Sequence, residues 1–560
     1  MTTQRRLGAT RRALLALLVV LGTGFGLALA EDEPKGLPDG PTWGRGRFQP
    51  TASNVLFATA DGCALCHSAA PEATALRSDT GDDVSPYGLW QATMMANAYR
   101  DPYWRAQVAS EGLAAPEKKA EIEALCLRCH GPMAHHTARI AGEPVPSIAD
   151  GASDPLAVDG VSCTVCHQVQ AEGLGTAERF DGQLDIRPGR VIYGPYADPV
   201  AMPMRSHSAF TPTKGSHIRS AALCGSCHTL TTKPHEGHGG FVEQAPYLEW
   251  RNSLWSTEGE GGPTKMSRTC QECHMADLGT MRIARNPPGR DFYMDKRPDV
   301  RGHAFVGGNS FMLRLLRENR KELGVTASER ALERMEFATR RFLKEKSADL
   351  TISPFTHADG RMKFTIDVRN KSGHKLPTGY PSRRVWLHVQ VRTGRTVLFE
   401  TGGFDERGAL VGVEDERAIP HITEVKKESD VVVYEAVPLD GEGRPTTLLH
   451  AMDRMGKDSR LLPMGWRKDG PHAKETAPVG TDADADFRAG GDTVRFDVPC
   501  EEGSENLLIV AWLRYQPIPP SWVQALRSVD AEEAKRFVRM YDELEFEPEV
   551  LDIEVQTESK

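Results

Sequence analysis

Ten of the eleven cysteines occur in pairs, each followed directly by histidine. The segments are Cys63-Ala-Leu-Cys66-His67, Cys126-Leu-Arg-Cys129-His130, Cys163-Thr-Val-Cys166-His167, Cys224-Gly-Ser-Cys227-His228 and Cys270-Gln-Glu-Cys273-His274. The chain's own composition predicts about 0.007 such pentapeptides by chance, and five are present. Two thiols at this spacing can form thioethers to the vinyl groups of a haem, and the adjacent imidazole then reaches the iron. Structural zinc pairs usually sit about 12 to 20 residues apart, whereas these motifs start 37 to 63 residues apart. Neither zinc nor disulfides give a reason for a histidine after every second cysteine. The pattern predicts five covalent c-type haems with their iron, held by the ten motif cysteines, with His67, His130, His167, His228 and His274 as proximal ligands. Cys500 stands outside the pattern and reads as a buried thiol.

Distal ligands must come from elsewhere. Between the motifs and just beyond lie His135, His136, His207, His217, His235, His238 and His303. His135 and His136 are adjacent, so only one is expected to bind. His217 lies shortly before Cys224, near enough to serve a neighbouring haem. His235 and His238 sit in a Gly-rich loop and are weaker candidates.

Five haems between residues 63 and 274 leave about 42 residues for each, too few to bury a conventional core. The macrocycles must supply apolar bulk and lie close together, on short helices joined by loops such as 144–159, 187–203 and 259–263. Beyond them the chain changes character. Phe311, Leu315 and Leu316 mark a helix, and Thr326 with Glu329 reads as a capping box opening a second one. From about residue 348 the period becomes two: Met362, Phe364, Ile366 and Val368 alternate with polar residues, as do Val385, Leu387, Val389 and Val391. Further strands are expected at 431–437, 494–498 and 507–515, then an amphipathic helix near 531–544.

The expected fold class is α+β and multidomain. A haem-packed, mainly α and loop domain (31–305) precedes a helical linker (306–347) and an antiparallel β-sandwich (348–520). A C-terminal helix and acidic tail (521–560) close the chain. At the start, Arg5, Arg6, Arg11 and Arg12 precede the apolar run 13–21 and Ala28-Leu29-Ala30, which reads as a signal peptide over 1–30. The expectation is an exported protein, periplasmic or at the cell surface.

The haem half resembles the cytochrome c-554/c-prime type of multihaem cytochrome, through Cys126-Leu-Arg-Cys129-His130-Gly131-Pro132 and Cys224-Gly-Ser-Cys227-His228. Residues 87–105 (YGLWQATMMANAYRDPYWR) are similar to the segment in which that family writes W-x-x-S-x-H-A-x-A. The histidine there is a distal ligand, and Met95 occupies its place. The resemblance also implies distal roles for His207, in Ser206-His207-Ser208-Ala209, and for His303, in Gly302-His303-Ala304-Phe305. The β half, with Gly373-His374-Lys375-Leu376-Pro377-Thr378-Gly379, resembles the C-terminal domain of large secreted bacterial multihaem cytochromes. His374 and Lys375 read as polar residues stabilising a turn. Five haems plus a sandwich exceed the small tetrahaem members of the family, so their haem order is not carried over.

Two function classes follow. One is an electron carrier passing single electrons to redox partner proteins. The other is a haem reductase or oxidase of small nitrogen compounds or peroxide, working at one open iron. Pentahaem nitrite reductases use lysine as proximal ligand at their catalytic haem, and all five motifs here end in histidine. A net charge of −9 gives no case for nucleic-acid binding, and peripheral membrane association is left open. Asp482, Asp484 and Asp486 mimic the start of a calcium loop. Phe487 and Thr493 break the EF-hand pattern, which leaves only a weak oxygen-rich calcium site at Asp486 and Asp492.

Overall fold

Alternation builds the carboxy-terminal half. In the computed structural model, which describes residues 50–233, 238–259 and 262–558, strand Arg361–Asn370 buries Met362, Phe364, Ile366 and Val368 and exposes Lys363 and Arg369. That strand sits in a five-stranded sheet ordered Glu424–Val425, Gly491–Pro499, Arg361–Asn370, Ala348–Ile352, with Thr356–Ala358 also paired to it. A six-stranded sheet runs Arg454–Asp458, Val433–Leu439, Arg384–Thr393, Leu507–Gln516, Glu549–Thr557, with Thr396–Thr401 on Arg384–Thr393. Pairing is antiparallel except between Glu424–Val425 and Gly491–Pro499. Phe364, Ile366 and Val494 of the first sheet share one buried cluster with Val389, Ile509 and Leu513 of the second. Strand Arg384–Thr393 is buried on both faces, because Trp386 packs on its other side against Leu410, Ile419 and Val431.

The last strand is a correction. Residues 549–557, expected within an acidic tail, pair with Leu507–Gln516 along its length and bury Leu551 in the common core. The helical segment before the sheets also differs from a linker. Helices Ser310–Glu318 and Glu329–Lys346 pack Met312, Leu316, Leu332 and Met335 against Tyr103 of the first half and Trp522, Phe537 and Met540 near the end. The second helix is capped by Ser328, whose side chain accepts the Ala331 N–H, so the expected Thr326 capping box does not form.

In the first half, apolar clusters are small and the motifs ride on short helices: Ala60–His67, Lys119–His130, Cys163–Cys166, Ala221–Gly225 and Cys270–His274. The last of these has a full capping box from Thr269 and Glu272. Between motifs, 144–159 contains two short helical turns, and 187–203 contributes the strand Val191–Gly194. Among the described residues no helix is long and apolar enough to cross a membrane. The expected signal peptide and His235 lie outside the described residues.

Candidate haem-binding cavity

All ten motif cysteines and all five motif histidines line one cavity of about 1860 Å³. The motifs touch one another in a definite order. The Cys63 thiol stands close enough to that of Cys163 to raise it, as Cys129 does for Cys227 and Cys270 for Cys224. Cys166 lies close enough to Cys227 and Cys224 to feel their charge. Glycine permits the segment before the third motif to pack on Met95: at Gly160 (φ +63°) a Cβ would stand 2.6 Å from the Met95 carbonyl.

Four motif imidazoles are oriented by main-chain carbonyls. Nδ1–H donates from His67 to Ile283 (2.9 Å), from His130 to Ala98 (3.0 Å), from His167 to Tyr193 (2.6 Å) and from His274 to Val306 (2.6 Å). Such a bond fixes the tautomer and leaves Nε2 as the lone-pair nitrogen, the arrangement that metal-ligating histidines adopt. Burial keeps these rings neutral and able to ligate: it pushes His130 and His274 down to about 4.

Two further histidines face motif histidines. The His303 ring lies 6.3 Å from that of His167 at 17° between planes, and the His374 ring lies 6.2 Å from that of His274 at 12°. Two imidazoles bonded to one metal through bonds of roughly 2 Å have centroids about 6 Å apart, so both pairs have the spacing of opposed axial ligands. His303 and His374 also donate Nδ1–H to main-chain carbonyls, of Arg301 (3.1 Å) and Lys375 (2.9 Å). The sequence reads His374 as a turn residue, and the structure also sets its ring beside that of His274. Its loop is fastened by Glu249, whose Oε2 accepts from Lys375 N (3.0 Å) and Thr378 Oγ1 (2.5 Å). The loop fits because Gly373 leaves room for Trp255 and Trp250, which would stand 3.1 and 3.2 Å from a Cβ.

The remaining candidates fall into two groups. Met95 and His207 line the cavity, as does Met94. His135, His136 and His217 do not. His217 donates from Nε2 to the Val169 carbonyl (2.9 Å), whereas His135 Nδ1 and both ring nitrogens of His136 are buried with no hydrogen-bond partner. His238 accepts the Gly240 N–H through Nδ1.

The lining suits a macrocycle that carries carboxylates. It is mostly apolar, and Arg219, Arg285, Arg297, Arg301 and Arg383 border it. Trp255 Nε1 and Glu243 Oε2 are buried cavity atoms with no partner. Near Cys126 the wall is polar, with Tyr103, Glu111, Glu243, Tyr380 and His450. Glu111 accepts from His450 Nδ1 and from the His450 N–H (3.1 Å). Burial, with Glu111 and Asp181 nearby, pushes Glu243 up to about 8.

The expected calcium pair is not assembled. The Asp486 carboxylate is taken by Arg495, and Asp492 lies instead with Asp484 and His421.

No protein-family model matches the chain, and no curated protein sequence matches it. Among solved structures, it is similar to the crystal structure of a penta-heme cytochrome c552 from Thermochromatium tepidum. The TM-score is 0.52 at 17% identity, over 90% of this chain and 99% of that one. At that identity the likeness is one of fold.

Proposed function

We propose that this chain is an exported multihaem cytochrome c that carries single electrons through five covalently attached haems. The observation that carries the reading is the convergence of all five Cys-x-x-Cys-His motifs on one cavity, within a fold shared with a penta-heme cytochrome. When bound, each haem supplies an iron that accepts and releases one electron.

The protein's own part is to hold, orient and shield. The motif cysteines would anchor the groups. The carbonyls of Ile283, Ala98, Tyr193 and Val306 hold four proximal imidazoles in one tautomer. His303 and His374 would supply second ligands to the irons held by His167 and His274. Met95 and His207 are the cavity-lining candidates for other irons, and the unpartnered nitrogens of His135 and His136 keep that pair in the set. The two sheets, built from 348–516 with 549–557, fit a sandwich that presents the His374 loop to the cavity, which gives the β half a role in the haem array. The resemblance to the cytochrome c-554/c-prime type supports the same reading. Redox partner proteins exchange electrons with it at the surface, where Cys273 of the fifth motif is exposed.

A second reading has its own supporting observation. The Tyr103, Glu111, Glu243, Tyr380 and His450 wall beside Cys126 places proton donors and acceptors next to one haem position, as a reductase or oxidase of small nitrogen compounds or peroxide requires.

Electron paramagnetic resonance of the oxidised protein, counted against its iron, separates the two. Low-spin iron unresponsive to nitrite or cyanide is expected for the carrier. A stoichiometric high-spin signal that shifts with either ligand would overturn it in favour of the enzyme.

A further inference from the structure

His421, Asp484 and Asp492 come together far from the cysteine motifs, between the two sheets. Asp492 starts strand Gly491–Pro499 of one sheet, Tyr434 reaches it from strand Val433–Leu439 of the other, and His421 lies in the loop entering Glu424–Val425. None of the three lines the haem cavity. One ligand atom from each lies within 4.8 Å of the others. The side chains of His421 and Asp484 are 4% and 0% exposed, and Asp492 is 0% exposed.

The hydrogen bonds within this group leave one atom over. His421 Nε2–H donates to Asp484 Oδ2 at 2.8 Å, and Asp484 Oδ1 accepts the Asp486 N–H at 2.9 Å. Tyr434 Oη–H donates to Asp492 Oδ2 at 2.8 Å. Asp492 Oδ1 is buried with no partner. An ionised carboxylate oxygen there lacks a donor, and a protonated one lacks an acceptor, so neither form meets the cost of burial. A cation shared with Asp484 and His421 removes that deficit.

We propose that His421, Asp484 and Asp492 bind one divalent transition-metal cation of the zinc class, which would fasten the loops carrying His421 and Asp484 to strand Gly491–Pro499. The donor set selects the class. Calcium and magnesium take oxygen ligands, whereas an imidazole with two carboxylates suits zinc and its neighbours. Ligands of one tetrahedral zinc, at bonds of about 2.0–2.2 Å, lie about 3.4 Å apart. The widest pair, at no more than 4.8 Å, would therefore close by up to about 1.4 Å, within reach of side-chain rotation. His421 would bind as its Nδ1–H tautomer, with the Nε2 lone pair on the metal in place of the hydrogen bond to Asp484 Oδ2, and water would fill the remaining position.

The test uses the haem-loaded protein, so that no free motif thiol competes. After chelator treatment, equilibrium dialysis against Zn²⁺ and elemental analysis count zinc against iron. One zinc per chain is expected, with a rise in melting temperature and an unchanged haem spectrum. Asp492→Asn and His421→Gln should each weaken binding at least about 100-fold and abolish the thermal shift. Because the two variants alter different strands and loops, a folding failure in one leaves the other to decide. No zinc bound, unchanged binding in the folded variants, or displacement of zinc by stoichiometric Ca²⁺ would overturn the proposal.

Discussion

His374 of the β half and His274 of the fifth motif hold their rings 6.2 Å apart and 12° from parallel, each with Nδ1 tied to a main-chain carbonyl. The β half thus reaches into the cavity with a side chain suited to bind metal. His374→Gly should leave one iron of the array five-coordinate. A new high-spin signal of about one iron per chain, which binds cyanide and returns to low spin on adding imidazole, is the expected result in paramagnetic resonance. Five unchanged low-spin irons would exclude the pairing.

Met95 lines the cavity, and its carbonyl accepts the Val161 N–H at 3.0 Å, which pins it beside the third motif. As a thioether ligand it would raise the potential of one haem relative to the bis-imidazole ones. Met95→His should lower the highest potential in a redox titration and erase the near-infrared methionine-to-iron band. An unchanged titration removes Met95 from the ligand set.

Asp458 is buried between Lys375 Nζ (2.6 Å) and Arg460 NH2 (2.6 Å). Burial alone would raise its carboxyl, but Arg460 and Lys375 more than reverse this and hold it at about 2. Its folded value lies below the unfolded one of about 3.9, so its contribution is complete above about pH 4 and is lost as pH falls towards 2. Asp458→Asn leaves two buried cations short of a partner and should cost about 3–5 kcal/mol at neutral pH. Denaturant titrations at pH 7 and pH 2.5 check this, and the difference between variant and parent should shrink at the lower pH.

Strand Glu549–Thr557 closes the edge of Leu507–Gln516. It also carries Glu549, which accepts from Ser310 Oγ at 2.7 Å and pairs with Arg340 at 3.2 Å. Ending the chain at residue 548 should lower the unfolding midpoint and expose a pairing edge that promotes self-association. Leu551→Ala keeps the edge covered and should cost about 2–5 kcal/mol with no change in size-exclusion behaviour.

Local patterns were readable wherever one residue type repeats at a fixed interval. The Cys-x-x-Cys-His segments and the strands carrying Phe364, Val389 and Ile509 needed only neighbours in sequence. Glu549–Thr557 was misjudged because alternating Glu and Asp made it look like a solvated tail, although Leu551, Ile553 and Val555 keep a period of two. The approach of the His374 ring to His274 was not legible for a different reason. It joins residues far apart in sequence, and Gly373 and Pro377 give His374 the local signature of a turn. The weak calcium reading paired Asp492 with Asp486, whereas Arg495 takes the Asp486 carboxylate and Asp484 stands beside Asp492 instead, a difference of one alternation that only the folded chain decides.

The order of contacts among the cysteines has a consequence for failure. Cys63 of the first motif stands beside Cys163 of the third, while Cys224 and Cys227 of the fourth stand near cysteines of the second, third and fifth. For the proposed carrier, that neighbour order would make a forked circuit with its junction at the fourth motif. Damage at a terminal would shorten one arm and leave traffic through the others intact. Damage at the junction would cut such a circuit into three islands, so the fourth site is the one whose loss the proposed carrier would tolerate least.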